Sequence, residues 1–219
     1  LIINSDIDMV SFVGSQAVGK KIMEACSKNL NRLVLELGGK DPMIILKDAD
    51  LKKAVPYAVH GSLRNSGQVC VSVERIYVED KIAIEFEKLV LQEIKKYRVG
   101  SGFDEVDMGP MVSEGQRAHV LSQIEEAKKK GARILFGGEK IDGEGFFMQP
   151  TMITNLSEKH DIMNTETFGP VICIQRVRNA EEAVEKANNS TFGLGATVWT
   201  KNQIKGRQIA EKIESGMIG

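Results

Sequence analysis

The sequence predicts an α/β protein with a mainly parallel sheet covered by helices. Short apolar segments alternate with amphipathic segments along most of the 219 residues, as expected for strands joined by crossover helices. Two segments, residues 32–37 "RLVLEL" and 42–46 "PMIIL", are nearly continuous apolar runs. Such runs are typical of strands buried on both faces of a sheet, so both are predicted to be sandwiched between helices.

The elements follow one another without a repeat or a long linker. A strand at residues 9–13 ends at Gly14, and Gly14 and Ser15 open the first helix. Asp48 or Asp50 is predicted to cap a later helix that Pro56 bends. Further along, the pattern predicts strands at 75–79, 132–136, 170–177 and 195–200, and helices at 82–94, 114–130, 180–188 and 203–214.

Composition limits the class of protein. A hydrophobic content of 42% in a chain of this length is sufficient for a large core. Charged residues make up 27% but nearly cancel to a net charge of −1, which argues against nucleic acid or a membrane surface as partner. No apolar run approaches the ~20 residues that span a bilayer, so a soluble protein is expected. The start at Leu1 indicates a segment of a longer protein.

One of the three cysteines stands out. The odd number and wide spacing of the cysteines argue against disulfides and for a reducing compartment, the cytoplasm. Cys26 and Cys173 lie in apolar patterns and are expected to be buried. Cys70 instead ends "NSGQVC" after a helix, where Gly67 permits close approach of a ligand. It is a candidate nucleophile, although no histidine lies within nine residues to activate it.

Glu36 is the second conspicuous residue. It stands between Leu35 and Leu37 near the end of an apolar strand, where an unpaired charge would be costly. One interpretation is a salt bridge to Lys40 or Arg32. The other is a general base whose pKa is raised toward neutrality by desolvation.

Several ordered motifs resemble the aldehyde dehydrogenase superfamily. These are "SFVGSQAVGKKI", "LVLELGGKDPMIILKDADL", the "NSGQVC" cysteine thirty-four residues after Glu36, "TETFGPVICI" and "NNSTFGLGATVWT". Val13 replaces the usual threonine of the first motif. The resemblance covers essentially the whole chain and implies two parts. Residues 1–36 would be the C-terminal piece of a Rossmann-like nucleotide-binding domain, and residues 37–219 a catalytic domain incomplete at its C terminus.

The resemblance also implies residue roles and a reaction. An aldehyde would be oxidised to a carboxylic acid with hydride transfer to NAD or NADP, through a thiohemiacetal and a thioester on Cys70 that Glu36 helps to hydrolyse. The backbone N–H of Cys70 would stabilise the oxyanion. The cofactor-binding residues would be Gly14 and Ser15 near the pyrophosphate, Leu37 and Gly38 lining the nicotinamide pocket, Glu166 at the ribose and Phe168 beside the nicotinamide. A homo-oligomer, dimer or tetramer, is expected for the full-length protein.

Alternatives remain at this point. A CoA-acylating relative would use the same cysteine, but the presence of Glu36 favours hydrolysis. A cysteine hydrolase would need one of the three histidines, His60, His119 or His160, beside Cys70. The chain could also be a non-catalytic folded or assembly domain, and in isolation it is expected to bind dinucleotide weakly and to have little activity. No cluster shows metal-ligand spacing.

Two arginines flank the cysteine segment. Arg64 and Arg75 are candidates for binding a carboxylate on the substrate, such as that of a semialdehyde. A structural role is the favoured interpretation for Arg75.

Overall fold

The computed structural model describes residues 6–219, which form two compact units that divide between Gly39 and Lys40. The sequence places its domain boundary after Glu36, and that boundary stays a prediction about the complete protein.

The first unit is a βαβ arrangement. Strands β1 (Met9–Gly14) and β2 (Arg32–Leu37) pair in parallel and are joined by helix α1 (Gln16–Ser27). The helix begins after Ser15, whose Oγ accepts the N–H of Val18 at 3.4 Å. A Cβ on Gly19 would lie 2.7 Å from the Leu37 side chain, so this glycine lets the helix pack closely on β2.

The expectation that β2 is buried on both faces is wrong. Its residues alternate between exposed and partly buried, with Val34 43% exposed and Glu36 exposed. The reason is that α1 covers the face carrying Leu37, whereas none of the described residues 6–39 of this unit covers the opposite face. An apolar run therefore did not distinguish a strand covered on one face from a strand covered on two.

The second unit contains a seven-stranded sheet in the order β5-β6-β7-β4-β3-β8-β9. All neighbouring strands pair in parallel except β5 and β6, which confirms the predicted α/β class and the mainly parallel sheet. The strands are β3 (Asp41–Ile45), β4 (Val73–Glu79), β5 (Arg133–Phe136), β6 (Thr151–Thr154), β7 (Val171–Val177), β8 (Gly195–Trp199) and β9 (Met217–Ile218), and the helices are α2 (Leu51–Leu63), α3 (Asp80–Ile94), α4 (Glu114–Lys129), α5 (Ala180–Asn188) and α6 (Gln203–Ala210).

Helices cover both faces of this sheet. Every residue of β3 is buried, as predicted for the "PMIIL" run. Alternate residues of the central strands enter opposite cores: Ile45 and Ile76 pack with α2 and α3, whereas Ile44 and Tyr77 pack with α4 and α5. The central strands are therefore the rigid middle layer from which the loops of the site project.

Three elements differ from the prediction. Strands β6 and β9 were not predicted, because four and two residues are too few to display a period. Helix α6 ends at Ala210 rather than Glu214, since the amides of Lys212 and Ile213 bond to carbonyls only three residues earlier.

Within residues 6–219, no helix combines the length and the apolar character needed to cross a membrane.

The loops that position the candidate site residues of this unit precede strands rather than follow them. Asp41 begins β3, Cys70 lies just before β4, and residues 166–170 lead into β7. Because these strands are parallel, their amino ends share one edge of the sheet. Ligand sites of α/β folds are generally expected beyond the carboxyl ends of the strands. Glu36, at the end of β2, lies where this rule predicts, whereas Cys70 lies before the amino end of β4.

Candidate active site

Cys70 is the accessible thiol of the chain. It is exposed, whereas Cys26 and Cys173 are 2% and 1% exposed, as the sequence predicted. Burial raises the pKa of Cys173 to about 12, so that thiol stays protonated at neutral pH. Among the three cysteines, only Cys70 can therefore meet a solvent-borne electrophile.

The segment that leads to Cys70 has a strained backbone. After α2 ends at Leu63, Asn65, Ser66 and Gly67 all adopt left-handed conformations with φ of 52°, 58° and 68°. Such conformations persist only where surrounding contacts enforce them. Here Ser66 Oγ donates to the carbonyl of Gly109 at 2.8 Å, and Gln68 Oε1 accepts the N–H of Val112 at 2.8 Å. The nucleophile loop, residues 65–72, is thus held in one shape.

Gly67 packs this nucleophile loop against the loop of residues 166–170. A Cβ at position 67 would lie 2.0 Å from the carbonyl oxygen of Gly169 and 2.9 Å from the nitrogen of Pro170. Both are backbone atoms that cannot rotate away. The structure therefore brings the loops of Cys70, Glu166 and Phe168 into direct contact.

Helix α4 holds the carbonyl groups of the 166–170 loop. Gln116 Nε2 donates to the carbonyls of Thr167 and Phe168 at 3.0 and 3.1 Å, and His119 Nε2 lies 3.3 Å from the carbonyl of Glu166. Phe168 has a φ of 47°, a backbone conformation that residues other than glycine rarely adopt. The backbone of this loop is fixed while the Glu166 and Phe168 side chains stay partly exposed.

A buried ion pair holds the amide groups of the same loop. Glu74 on β4 accepts the N–H groups of Thr167 and Phe168 at 2.9 Å each and the ammonium of Lys40 at 2.5 Å. The suggested salt bridge of Glu36 to Lys40 is therefore wrong, because Lys40 pairs with Glu74. No signal in the sequence pointed to Glu74, because it lies just before the strand predicted at residues 75–79, whereas β4 begins at Val73.

The histidines do not activate Cys70. His119 is bonded to Glu166, and His160 is buried with its Nδ1 accepting the N–H of Ser157 at 3.0 Å. In the part of the chain that the structure describes, no hydrogen bond joins a histidine ring to Cys70, so a cysteine hydrolase pair is not supported. The same residues contain no cluster of three or more His, Cys, Asp or Glu side chains arranged for a metal ion.

The first unit brings four predicted site residues together at its strand ends. In the parallel register Val13 lies beside Glu36 and Gly14 beside Leu37, and Ser15 caps α1 directly afterwards. Glu36 is exposed because it lies on the face opposite α1, so the expectation of a desolvated carboxylate is not met in this structure.

Arg75 has a structural role, as the sequence favoured. It is 2% exposed, and its guanidinium donates to the carbonyls of Lys40 at 2.7 Å and Ala187 at 3.0 Å. The latter contact places a positive charge at the C-terminal end of α5, which suits the helix dipole. Arg75 is therefore not available for a substrate carboxylate, whereas Arg64 is exposed.

Asp41 is a titratable group that sequence reasoning missed. It is 5% exposed, accepts the N–H of Gly195 at 3.1 Å, and lines a cavity of about 360 Å³ together with Val71, the residue after Cys70. Burial raises the pKa of Asp41 from 3.8 to about 6, against the opposing effect of the Gly195 hydrogen bond. The pKa of this buried carboxyl group therefore lies about two pH units above that of an exposed aspartate.

This shift predicts a pH dependence of stability. Because the folded pKa lies above the unfolded one, the folded state binds the extra proton between about pH 4 and pH 6, and stability falls as pH rises through that window. Asp41→Asn cannot ionise and keeps the acceptor for Gly195. It is expected to raise the free energy of unfolding above pH 6 by up to about 3 kcal/mol. Thermal unfolding as a function of pH measures this. Asp104→Asn, an exposed loop position, is the control, and equal pH profiles for both variants would contradict the assignment.

These features define an α/β protein with a candidate site around an accessible cysteine. Its second unit presents an accessible thiol on a strained loop that packs against a backbone-fixed loop carrying a glutamate and an aromatic residue. Its first unit presents a capped helix N-terminus and a carboxylate at the ends of two parallel strands.

Comparison with known proteins gives the family. The model of the aldehyde dehydrogenase family matches residues 1–219. Cytosolic aldehyde dehydrogenase 1 of Mus musculus is 40% identical over 215 residues, which are 97% of this chain and 43% of that protein. A solved aldehyde dehydrogenase from Bacillus cereus is 39% identical with a TM-score of 0.97, and the match covers 100% of this chain and 45% of that one. Betaine aldehyde dehydrogenase from Staphylococcus aureus, solved with NAD+, is 38% identical with a TM-score of 0.93 over 97% of this chain and 43% of its own.

The chain belongs to the aldehyde dehydrogenase family. It spans less than half the length of these relatives.

Proposed function

We propose that the complete protein containing this chain oxidises an aldehyde to a carboxylic acid and transfers a hydride to NAD+ or NADP+. The observation that carries the proposal is the exposed Cys70 on a strained loop packed against the loop of Glu166 and Phe168. An accessible thiol on a loop that packs against the proposed dinucleotide-binding loop suits covalent catalysis coupled to hydride transfer. Membership of the aldehyde dehydrogenase family supports the same reaction.

The chemistry proceeds through Cys70. Its thiolate attacks the carbonyl carbon and forms a C–S bond, while the carbonyl electrons move to oxygen and the Cys70 N–H stabilises the resulting oxyanion. Loss of hydride from that thiohemiacetal leaves a thioester on the sulfur. Glu36 then takes a proton from water, the hydroxide adds to the thioester, and the C–S bond breaks to release the acid and regenerate the thiolate.

In each unit, taken by itself, the predicted cofactor residues have chemistry that suits part of a dinucleotide. When bound, NAD(P)+ supplies the hydride acceptor. Gly14 and Ser15 would lie near its pyrophosphate, because α1 begins there with amide groups that suit an anion. Glu166 would bind the nicotinamide ribose with Phe168 beside the ring, and both belong to a loop whose backbone is already fixed. Leu37 and Gly38 would line the nicotinamide pocket.

The role of Glu36 predicts a split between two phases of the reaction. Glu36→Gln is expected to slow steady-state turnover roughly a hundredfold, since a general base contributes about that much or more. The first turnover should still release reduced nicotinamide, because hydride transfer precedes hydrolysis. Stopped-flow measurement of the burst and of the steady rate tests this. Glu24→Gln, an exposed glutamate of α1, is the control. A loss of the burst together with the steady rate would contradict a role in deacylation.

The overall reaction is tested by its products. The protein encoded by the complete open reading frame, given an aldehyde and NAD+ or NADP+, should form reduced nicotinamide and a carboxylic acid in equal amounts. The assay is repeated with CoA present. Formation of an acyl-CoA that requires the thiol would favour the CoA-acylating alternative, and no reduction of either dinucleotide would favour a non-catalytic domain.

Further parts of the proposal concern the cell and the assembly. A cytosolic location is supported by the name of the mouse relative and by three free cysteines. A homo-oligomer is proposed for the complete protein. Residues 1–219 alone are proposed to bind dinucleotide weakly or not at all and to have little dehydrogenase activity. Oxidation of an aldehyde by the isolated chain at a rate near that of the complete protein would overturn that statement.

A further inference from the structure

Glu74 connects the strand after the nucleophile to the loop of the proposed dinucleotide contacts. It lies four residues beyond Cys70 on the central strand β4 and is 4% exposed. Its Oε1 accepts the N–H of Phe168, and its Oε2 accepts both the N–H of Thr167 and the ammonium of Lys40. Lys40 also donates to Thr167 Oγ1 at 2.9 Å. Glu74 and Lys40 therefore bind both the backbone of this loop and one of its side chains.

The conformation held in this way is one that the loop would not adopt unaided. Phe168 has a φ of 47°, which costs energy for a residue with a bulky side chain. Hydrogen bonds to a charged acceptor are stronger than those to a neutral one, and two converge on adjacent amides here. The carboxylate therefore offsets the strain at the residue whose ring is proposed to lie beside the nicotinamide.

Stability alone does not explain a buried pair at this position. Lys40 and Glu74 are 1% and 4% exposed, and taking two charges out of water largely cancels their mutual attraction. Well-packed apolar side chains of similar volume stabilise a core as well or better. What an apolar pair cannot do is bind two consecutive amide groups and so fix the direction of the loop.

We propose that Glu74 is a positioning residue for the dinucleotide, acting through Thr167 and Phe168. It holds the loop in the shape that lets Glu166 and Phe168 bind the nicotinamide ribose and ring, and it does not itself touch the reacting atoms. The inference rests on the proposed function. To the residues named under the proposed function it adds Glu74, whose hydrogen bonds join strand β4, just after Cys70, to the loop of residues 166–170.

Steady-state kinetics of the complete protein test this role. Glu74→Gln keeps the size of the side chain but turns an N–H₂ toward one of the two loop amides. The KM for the dinucleotide should rise roughly ten- to a hundredfold, the effect of losing charge-assisted hydrogen bonds to a buried group. The KM for the aldehyde and the rate of Cys70 alkylation by iodoacetamide without cofactor should change little.

The matched control is Glu79→Gln. Glu79 is also 4% exposed on β4 and accepts a single backbone N–H, that of Lys47 at 3.0 Å, at the other end of the strand. A general effect of removing a buried carboxylate from this strand would appear in both variants. An equal rise of the dinucleotide KM in Glu74→Gln and Glu79→Gln would overturn the proposal.

A second variant separates position from charge. Glu74→Asp keeps the charge beside Lys40 but withdraws the carboxylate by one methylene, away from the loop amides. A positioning role predicts that the dinucleotide KM stays raised, whereas restoration of the wild-type KM would show that only charge neutralisation matters. If Glu74→Gln does not fold, Glu74→Asp decides alone.

Activity of the unmutated protein distinguishes failure of the proposed function from failure of the proposed role of Glu74. If the unmutated protein reduces no dinucleotide, the proposed function fails. If it reduces a dinucleotide, and the dinucleotide KM of Glu74→Asp equals that of the unmutated protein, only the proposed role of Glu74 fails.

Discussion

Replacing Cys70 with alanine is expected to lower aldehyde oxidation by the complete protein by roughly a thousandfold or more, as loss of a covalent nucleophile does. The free energy of unfolding should stay within about 0.5 kcal/mol, because the side chain is exposed and packs in no core. Initial rates of dinucleotide reduction and thermal unfolding of the same preparations measure the two quantities separately.

Cys26→Ala is the control for this substitution. It removes a thiol that is 2% exposed on α1 and should cost some stability while leaving the rate nearly unchanged. Iodoacetamide should label Cys70 faster than either buried cysteine in the unmutated protein. Substantial activity in Cys70→Ala would contradict the assignment of the nucleophile.

Gly67→Ala is expected to have the largest effect on folding, a loss of about 2–5 kcal/mol in the free energy of unfolding. The new Cβ would lie 2.0 Å from the carbonyl oxygen of Gly169, and the residue has a φ of 68°. The left-handed conformation costs roughly 1–2 kcal/mol and displacement of a packed backbone adds a further 1–3 kcal/mol. Chemical denaturation measures the change.

Gly131→Ala measures the conformational part of that effect alone, so the difference between the two variants gives the steric part. Gly131 has a φ of 93°, and nothing lies within 4 Å of an added Cβ, so only the conformational cost of roughly 1–2 kcal/mol should appear. Cys70 alkylation should also change in Gly67→Ala, because its loop must move away from residues 166–170. Equal destabilisation by the two substitutions would contradict the tight contact between the two loops.

The sequence was sufficient for features that depend on local pattern. The helix from Ala180 to Asn188 and the buried strand β3 follow from apolar spacing. Residue type narrowed the cap of α2 to Asp48 or Asp50, and the structure shows that it is Asp50. The exposure of Cys70 followed from its place after a helix among Asn, Ser and Gly. The loop of Glu166 and Phe168 was found through resemblance to a family rather than through its own pattern.

Other features depend on contacts between distant residues, and the local pattern does not contain them. Glu36 was expected in a desolvated position, but which face of β2 is covered depends on where α1 packs. Glu74 lay outside the predicted strand and carried no local signal, because its partners lie 34 and more than 90 residues away. The pKa of Asp41 rises to about 6 only because folding buries its carboxyl group.

Mass spectrometry of Cys70 during turnover tests the central claim most directly. The complete protein carrying Glu36→Gln is mixed with an aldehyde and an excess of NAD+ or NADP+, quenched in acid and digested. The Cys70 peptide should gain the mass of the acyl group, with one reduced nicotinamide formed for each acylated thiol. Omission of the dinucleotide should abolish the adduct. An adduct on another residue, or reduced nicotinamide without acylated Cys70, would contradict catalysis through a thioester at this cysteine.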